Sequence, residues 1–235
     1  MRIGHNPAFV FLSNPKCGST SIRAILGKHS DIYGEDNPHH PVETTHLNAH
    51  ALKSYFEDDL YSKPEEESVE VTVGEWGDYY KFTTVRNPWK KMASYYFFWA
   101  PDKDMKSAYS SSDYDRASAF SVGFNDWLKY AIDGRGLPNY DYFCCDHNSK
   151  ELLLDDVFKL EEIDEVLPTA LKEHLDIDVE KIPKMYPDFS HKHIGNTKYT
   201  NWRGDYYSLY NQESKDIISQ VYESDIEKFN YSFGD

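Results

Sequence analysis

The chain has 235 residues, and 25 Lys and Arg against 40 Asp and Glu give it a formal charge of −15. That length suits one sizeable domain or at most two small ones; we read a single domain, residues 1–235, burying about 70% of its unfolded surface without disulfides. The charge excludes a general nucleic-acid binder, which needs a basic footprint. The 16% aromatic content excludes a disordered chain, and no run approaches the roughly 18 apolar residues of a membrane span.

Met1 to Pro7 lacks the apolar stretch of a signal peptide. Ala8-Phe9-Val10-Phe11-Leu12 is a short apolar run ending in Ser-Asn-Pro, which predicts a buried strand. Ser21 to Lys28 carries Ile22, Ile25 and Leu26 at helical spacing. The stretch 57–75 sets Glu57, Asp58, Asp59, Glu65, Glu66, Glu67, Glu70 and Glu75 against Lys63, the pattern of a solvated loop. Tyr80 to Val85 has strand composition. Asn87-Pro88 then predicts an N-cap and first helical residue, with Met92, Tyr95, Tyr96 and Trp99 on one face. A polar stretch, Pro101 to Ser118, reads as a surface loop or lid. Phe124, Trp127, Leu128 and Ala131 form a second helical stripe.

Val157 to Leu160 predicts a third strand. The helical pattern through Ile163, Val166, Leu167, Leu171 and Leu175 is expected to break or restart at Pro168. Asn211 is placed to cap a last helix with Ile217, Ile218, Val221, Tyr222 and Phe229 on its inner face. Alternating strands and helices predict an α/β fold with a mainly parallel central sheet flanked by helices. The three cysteines, Cys17, Cys144 and Cys145, are too few for a disulfide framework and fit a reducing cytoplasm. Without a CxxC pair or other ligand cluster, no metal is expected.

Two segments carry chemistry. In Ser13-Asn14-Pro15-Lys16-Cys17-Gly18-Ser19-Thr20-Ser21 a strand runs through one Lys, one Gly and three hydroxyls into a helix. Helix N-terminal amides and the helix dipole favour an anion there, and Gly18 permits close backbone approach. It is not a Walker A loop, because Lys16 precedes the Gly. In the second segment Arg86 closes a strand and Ser94 lies about two helical turns on. A planar, permanently charged guanidinium suits phosphate. Taken alone, the first could be a Ser-rich cap with an incidental Lys, and the second a surface Arg with a neutral Ser. Two such strand-to-helix turns together suggest one ligand with two separate phosphates.

At these residues the chain resembles the sulfotransferase family, in its carbohydrate-sulfotransferase-like, soluble bacterial branch. Pro15 to Ser21 resembles the family's 5′-phosphosulfate loop, and Val85-Arg86-Asn87-Pro88 through Ser94 resembles its 3′-phosphate segment. His46-Leu47-Asn48-Ala49-His50 is similar to its His-x-x-Ala segment, and Val157 to Glu161 to its strand ending in Glu. His193 to Thr197 with Trp202 to Tyr207 is similar to its C-terminal loop and last helix start. Cys17 stands where Thr or Ala is commoner, and Gly204 interrupts the usual Arg-Asp-Tyr-Tyr.

The resemblance implies a P-loop-like three-layer fold and a PAPS-dependent enzyme; the cysteine set and the lack of a signal stretch lead us to expect it in the cytoplasm. PAPS is 3′-phosphoadenosine 5′-phosphosulfate, and the acceptor is a saccharide or small-molecule hydroxyl; charge and hydropathy lead us to expect no nucleic-acid or membrane partner. The resemblance implies Lys16 as catalyst against charge on the bridging oxygen. Cys17, Gly18, Ser19, Thr20 and Ser21 hold the 5′-phosphate, and Arg86 and Ser94 the 3′-phosphate; Lys192, Lys198 and Arg203 form a small basic group that either closes over the donor phosphates, with Arg203 in the donor site, or is simply solvated. A base is expected for the acceptor hydroxyl. His46 is its first candidate, His50 the alternate, and His191 and His193 follow; His39 and His40 read as loop residues. Glu161 is a candidate for binding the acceptor or supporting the site, or else a structural strand-end acid. The rivals are a P-loop nucleotide kinase or NTPase and a catalytically inactive PAPS-binding protein.

Overall fold

In the computed structural model, residues 1–33, 45–57, 74–99, 123–135, 137–180, 182 and 205–234 are described. The chain divides into two units, Met1–Val85 with Tyr140–Pro183, and Arg86–Asn139 with Lys184–Asp235.

The first unit holds a five-stranded sheet of β1 (Arg2–His5), β2 (Ala8–Leu12), β3 (Ile32–Tyr33), β4 (Tyr80–Val85) and β5 (Asp156–Lys159), in the order β3-β1-β2-β4-β5. β2, β4 and β5 pair in parallel, with Phe11 opposite Phe82 and Thr84 opposite Phe158. Among the described residues the sheet is thus parallel at its centre, in these three strands, as expected, while β1 pairs antiparallel with both β2 and β3. β1 and β2 are joined by the two residues Asn6 and Pro7, too short a link for a parallel crossover.

Side chains alternate across a strand, so residues 9 and 11 share a sheet face with 80, 82 and 158. That aromatic face is covered by α1 (Ser19–Leu26) through Ile22 and Leu26, and by α6 (Ile163–Leu175) through Leu167, Leu171 and Leu175. α1 starts two residues earlier than its apolar spacing predicts, because Gly18 in left-handed backbone sets its start.

α6 runs unbroken through Pro168, against the expected break. Pro168 removes one bond, to the carbonyl of Asp164, and such a residue costs about 3 kcal/mol in a helix interior. Burial of Leu167, Ala170 and Leu171 on the sheet offsets it, each large side chain contributing about 1.5–3 kcal/mol. α2 (Ala49–Glu57) and α5 (Tyr140–Cys144) also belong to this unit.

The second unit is helical, with α3 (Pro88–Trp99), α4 (Phe124–Arg135), α7 (Gln212–Val221) and α8 (Glu223–Phe229). Its core gathers Trp89, Met92, Phe124, Trp127, Leu128, Ala131, Tyr206, Ile218 and Tyr222. Both predicted stripes therefore point inward; the side chain of Trp99 lies outside the described residues. Asn87 caps α3, its Oδ1 accepting from the amides of Trp89 and Lys90 at 3.1 and 3.3 Å. Asn211 caps α7 in a reciprocal box with Ser214. The predicted last helix is two helices, parted at Tyr222, whose hydroxyl donates to the Leu137 carbonyl at 2.7 Å.

Candidate functional site

The loop from β2 to α1 is built by its own polar groups. Lys16 has φ 62° and Gly18 φ 79°, both left-handed, on either side of Cys17. For Lys16 that conformation costs on the order of 1–2 kcal/mol, so surrounding contacts must hold it. The Cys17 amide donates to the Asn14 carbonyl at 3.3 Å, and its buried thiol to the Pro15 carbonyl at 3.4 Å. The Thr84 hydroxyl donates to the Cys17 carbonyl at 2.6 Å, and the Asn14 side-chain amide to the Thr84 carbonyl at 3.1 Å.

These bonds refine the expected anion cradle. Of the five amides from Cys17 to Ser21, that of Cys17 turns inward to Asn14, and that of Ser21 donates to Gly18 at 3.2 Å. The turn bonds thus take up the Cys17 and Ser21 amides and not those of Gly18, Ser19 and Thr20. Gly18 has a second reason to be Gly: a Cβ there would lie 2.4 Å from Cδ1 of Leu160. Leu160 opens the 3₁₀ turn Leu160–Glu162, which directly follows β5 and includes Glu161. Ser19 and Ser21 are buried, whereas Lys16 and Thr20 are half-buried.

His46 lies just before α2, with Nδ1 at 2.6 Å from the Ser13 carbonyl. A carbonyl only accepts, so Nδ1 carries the proton and Nε2 keeps the lone pair of the neutral ring. Much of the residue meets solvent, but its Nδ1 side is enclosed, and this desolvation is the main influence lowering its pKa. The bond to Ser13 opposes the shift. The nearby N-terminal ammonium, Arg23 and Lys16 reinforce it.

His50, one turn on, is held differently. Its Nδ1 sits 3.1 Å from Oδ2 of Asp146, and its ring stacks on His147 with centroids 4.5 Å apart. Asp146 also accepts the amides of Ser149 and Asn148, which chiefly hold its carboxyl below the usual range.

In the second unit, Arg86 follows directly on β4 and Ser94 is the seventh residue of α3; both side chains are buried. Lys90 and Lys91 are buried too. Lys91 donates to the Pro138 carbonyl at 2.6 Å, and Lys90 lies 6.0 Å from the ring centre of Tyr206. Lys90 shares a helix face with Ser94, four residues on, and received no role from the sequence; its neighbouring Arg86 was the only signal for it.

Arg203, His191, His193, Lys192, Lys198, His39 and His40 lie outside the described residues, as do most of the acidic stretch and the Pro101–Ser118 loop. Asp205 caps the turn Tyr206–Leu209 by accepting from the Tyr207 amide. Sequence reasoning also missed Asn14, Thr84 and Leu160, which shape the loop from within; a hydroxyl at the end of a strand facing that loop was the available sign. Among the described residues no group of three His, Cys, Asp or Glu side chains could hold a metal ion, and no helix is long and apolar enough to cross a membrane.

Residues 1–232, and so parts of both units, match the model of a family described as the sulfotransferase family. No curated protein and no solved structure matches the chain.

Proposed function

Since the chain belongs to the sulfotransferase family, we propose that it moves a sulfuryl group from PAPS to a hydroxyl of a saccharide or other small acceptor. The observation that carries this reading is the β2–α1 loop. It carries a lysine and helix-terminal amides suited to an anion, and the Ser13 carbonyl at its start orients an imidazole whose Nε2 keeps its lone pair.

In this reading the amides of Gly18, Ser19 and Thr20, with the hydroxyls of Ser19, Thr20 and Ser21, bind the 5′-phosphosulfate. Lys16 neutralises negative charge as it grows on the bridging oxygen. Arg86 and Ser94 take the 3′-phosphate, the group that separates PAPS from other adenine nucleotides, and Arg203 covers it. His46 Nε2 accepts the acceptor's proton while Nδ1–H stays on Ser13, the orienting bond that fixes a catalytic tautomer. In the transfer, sulfur gains a bond to the acceptor oxygen and loses its bond to the bridging oxygen; adenosine 3′,5′-bisphosphate leaves. Positioning and fixed charge supply the rate, as in phosphoryl transfer.

The net charge of −15 favours small or neutral acceptors over long polyanions, which would approach against a repulsive field. The sparse, odd set of three cysteines fits a reducing cytoplasm, which is the location we propose. The test is calorimetry with adenosine 3′,5′-bisphosphate and AMP, followed by labelled-sulfate transfer across sugars, phenols and alcohols. Tighter binding of the bisphosphate and transfer to one class support the reading; equal affinity for both nucleotides removes it.

A further inference from the structure

Three hydrogen bonds close a ring around the loop that carries Lys16. Thr84 donates its hydroxyl to the Cys17 carbonyl, Cys17 its amide to the Asn14 carbonyl, and Asn14 its side-chain amide to the Thr84 carbonyl. Cys17 and Thr84 are fully buried and Asn14 nearly so, so water cannot replace a lost partner and each bond is expensive to leave unmade. The ring encloses the peptide between the two left-handed residues Lys16 and Gly18. It therefore fixes the direction of the chain where the lysine and the amides of Gly18 and Ser19 emerge.

We infer that Thr84 is a positioning residue for the anion-binding loop: its hydroxyl holds Lys16 and the helix-terminal amides in their binding geometry before a ligand arrives. The inference rests on the reading of this loop as the donor site.

Thr84 is suited to the task. A β-branched side chain in a strand has few rotamers, so the hydroxyl is aimed without further ordering. Its strand is clamped on both sides, by β2 and by β5. The neighbouring Thr83 donates at 2.7 Å to the Leu12 carbonyl at the end of β2, which also accepts the Asn14 amide at 3.1 Å; that bond reaches the loop only at its first turn and does not touch Cys17, Lys16 or Gly18. Thr83 is thus a built-in control of the same residue type, equally buried.

The experiment compares Thr84→Val, Thr84→Ser and Thr83→Val with the unaltered protein. Thr84→Val is expected to bind adenosine 3′,5′-bisphosphate about 10-fold more weakly, the effect of roughly one hydrogen bond's loss. Thr84→Ser keeps the hydroxyl and should restore affinity. Thr83→Val should lower the melting temperature and keep affinity. Amide hydrogen exchange without nucleotide gives a second reading: Gly18 to Thr20 should exchange faster in Thr84→Val and at the original rate in Thr84→Ser and Thr83→Val. Unchanged exchange in Thr84→Val, or equal loss of affinity in Thr83→Val, overturns the positioning role. If the unaltered protein does not bind the bisphosphate, the donor reading fails, and the positioning role for that donor fails with it. If it binds and Thr84→Val binds equally well, only the positioning role fails.

Discussion

The Nδ1 of His46 lies 2.6 Å from the carbonyl oxygen of Ser13, the first residue beyond β2. The bond ties the segment ahead of α2 to the start of the loop that carries Lys16. It also decides the tautomer, since only Nδ1–H can meet a carbonyl.

His46→Ala should lower turnover on a hydroxyl acceptor by roughly 10²- to 10⁴-fold, the contribution of a positioned base, and leave nucleotide affinity nearly intact. The pH profile gives a sharper reading. Desolvation depresses the His46 pKa below its ordinary 6.5, so the ring stays neutral at pH 7 and the acidic limb should lie below 6.5. That limb should vanish in the variant. Stability follows the same sign. The unfolded chain takes up this proton first as pH falls below 6.5, so the contribution is intact above that value and is lost toward the folded pKa. If His50→Ala is the damaging change and His46→Ala is silent, the base is the imidazole on Asp146.

Arg86→Ala should remove most of the preference for adenosine 3′,5′-bisphosphate over AMP. A hydrogen bond to a charged group contributes about 1.5–3 kcal/mol, so binding should weaken about 10- to 100-fold. Titration of both nucleotides into both proteins measures it. A uniform loss for the two nucleotides would assign Arg86 to some other part of the ligand.

Much of this was legible in the sequence, for reasons that differ by element. Phe9 to Leu12, the Asn87-Pro88 cap and the stripe from Phe124 to Ala131 carry local signals, and the structure has them where the signals lie. β1 was not legible: Arg2-Ile3-Gly4-His5 has little strand composition, and it is a strand because its backbone pairs with both β2 and β3. Pro168 was misread because a local rule cannot see the sheet that α6 covers. In the loop, Lys16 and Gly18 announce themselves by type, whereas Asn14 and Thr84 act through partners 70 and 67 residues away. No spacing rule reaches that far.

Lys16 should show a trade between stability and activity. Its left-handed backbone disfavours any side chain, and Gly is the residue that adopts it freely. Lys16→Ala should keep the strain and lose the charge, cutting turnover more than donor binding, because the charge matters most as the bridging oxygen becomes anionic. Lys16→Gly should lose turnover equally, yet resist urea better than Lys16→Ala by about 1 kcal/mol. If only the Michaelis constant for the donor rises in both, Lys16 is a ground-state phosphate anchor.

Gly18→Ala meets two obstacles that a pair of variants can separate. The backbone at φ 79° disfavours a side chain, and the new methyl would sit 2.4 Å from Cδ1 of Leu160. Overpacking of this kind costs about 1–3 kcal/mol, and the left-handed backbone adds on the order of 1–2 kcal/mol. Leu160→Ala by itself removes partly buried packing against the core of α1 and α6 and should also destabilise. In the double variant the clash is gone and the backbone cost remains. Its loss of stability should therefore be smaller than the sum of the single losses, by the part that Leu160 contributes to the clash. Urea unfolding of the four proteins gives that coupling energy. A strictly additive result would mean that Leu160 moves aside without cost, leaving the left-handed backbone as the whole reason that residue 18 is Gly.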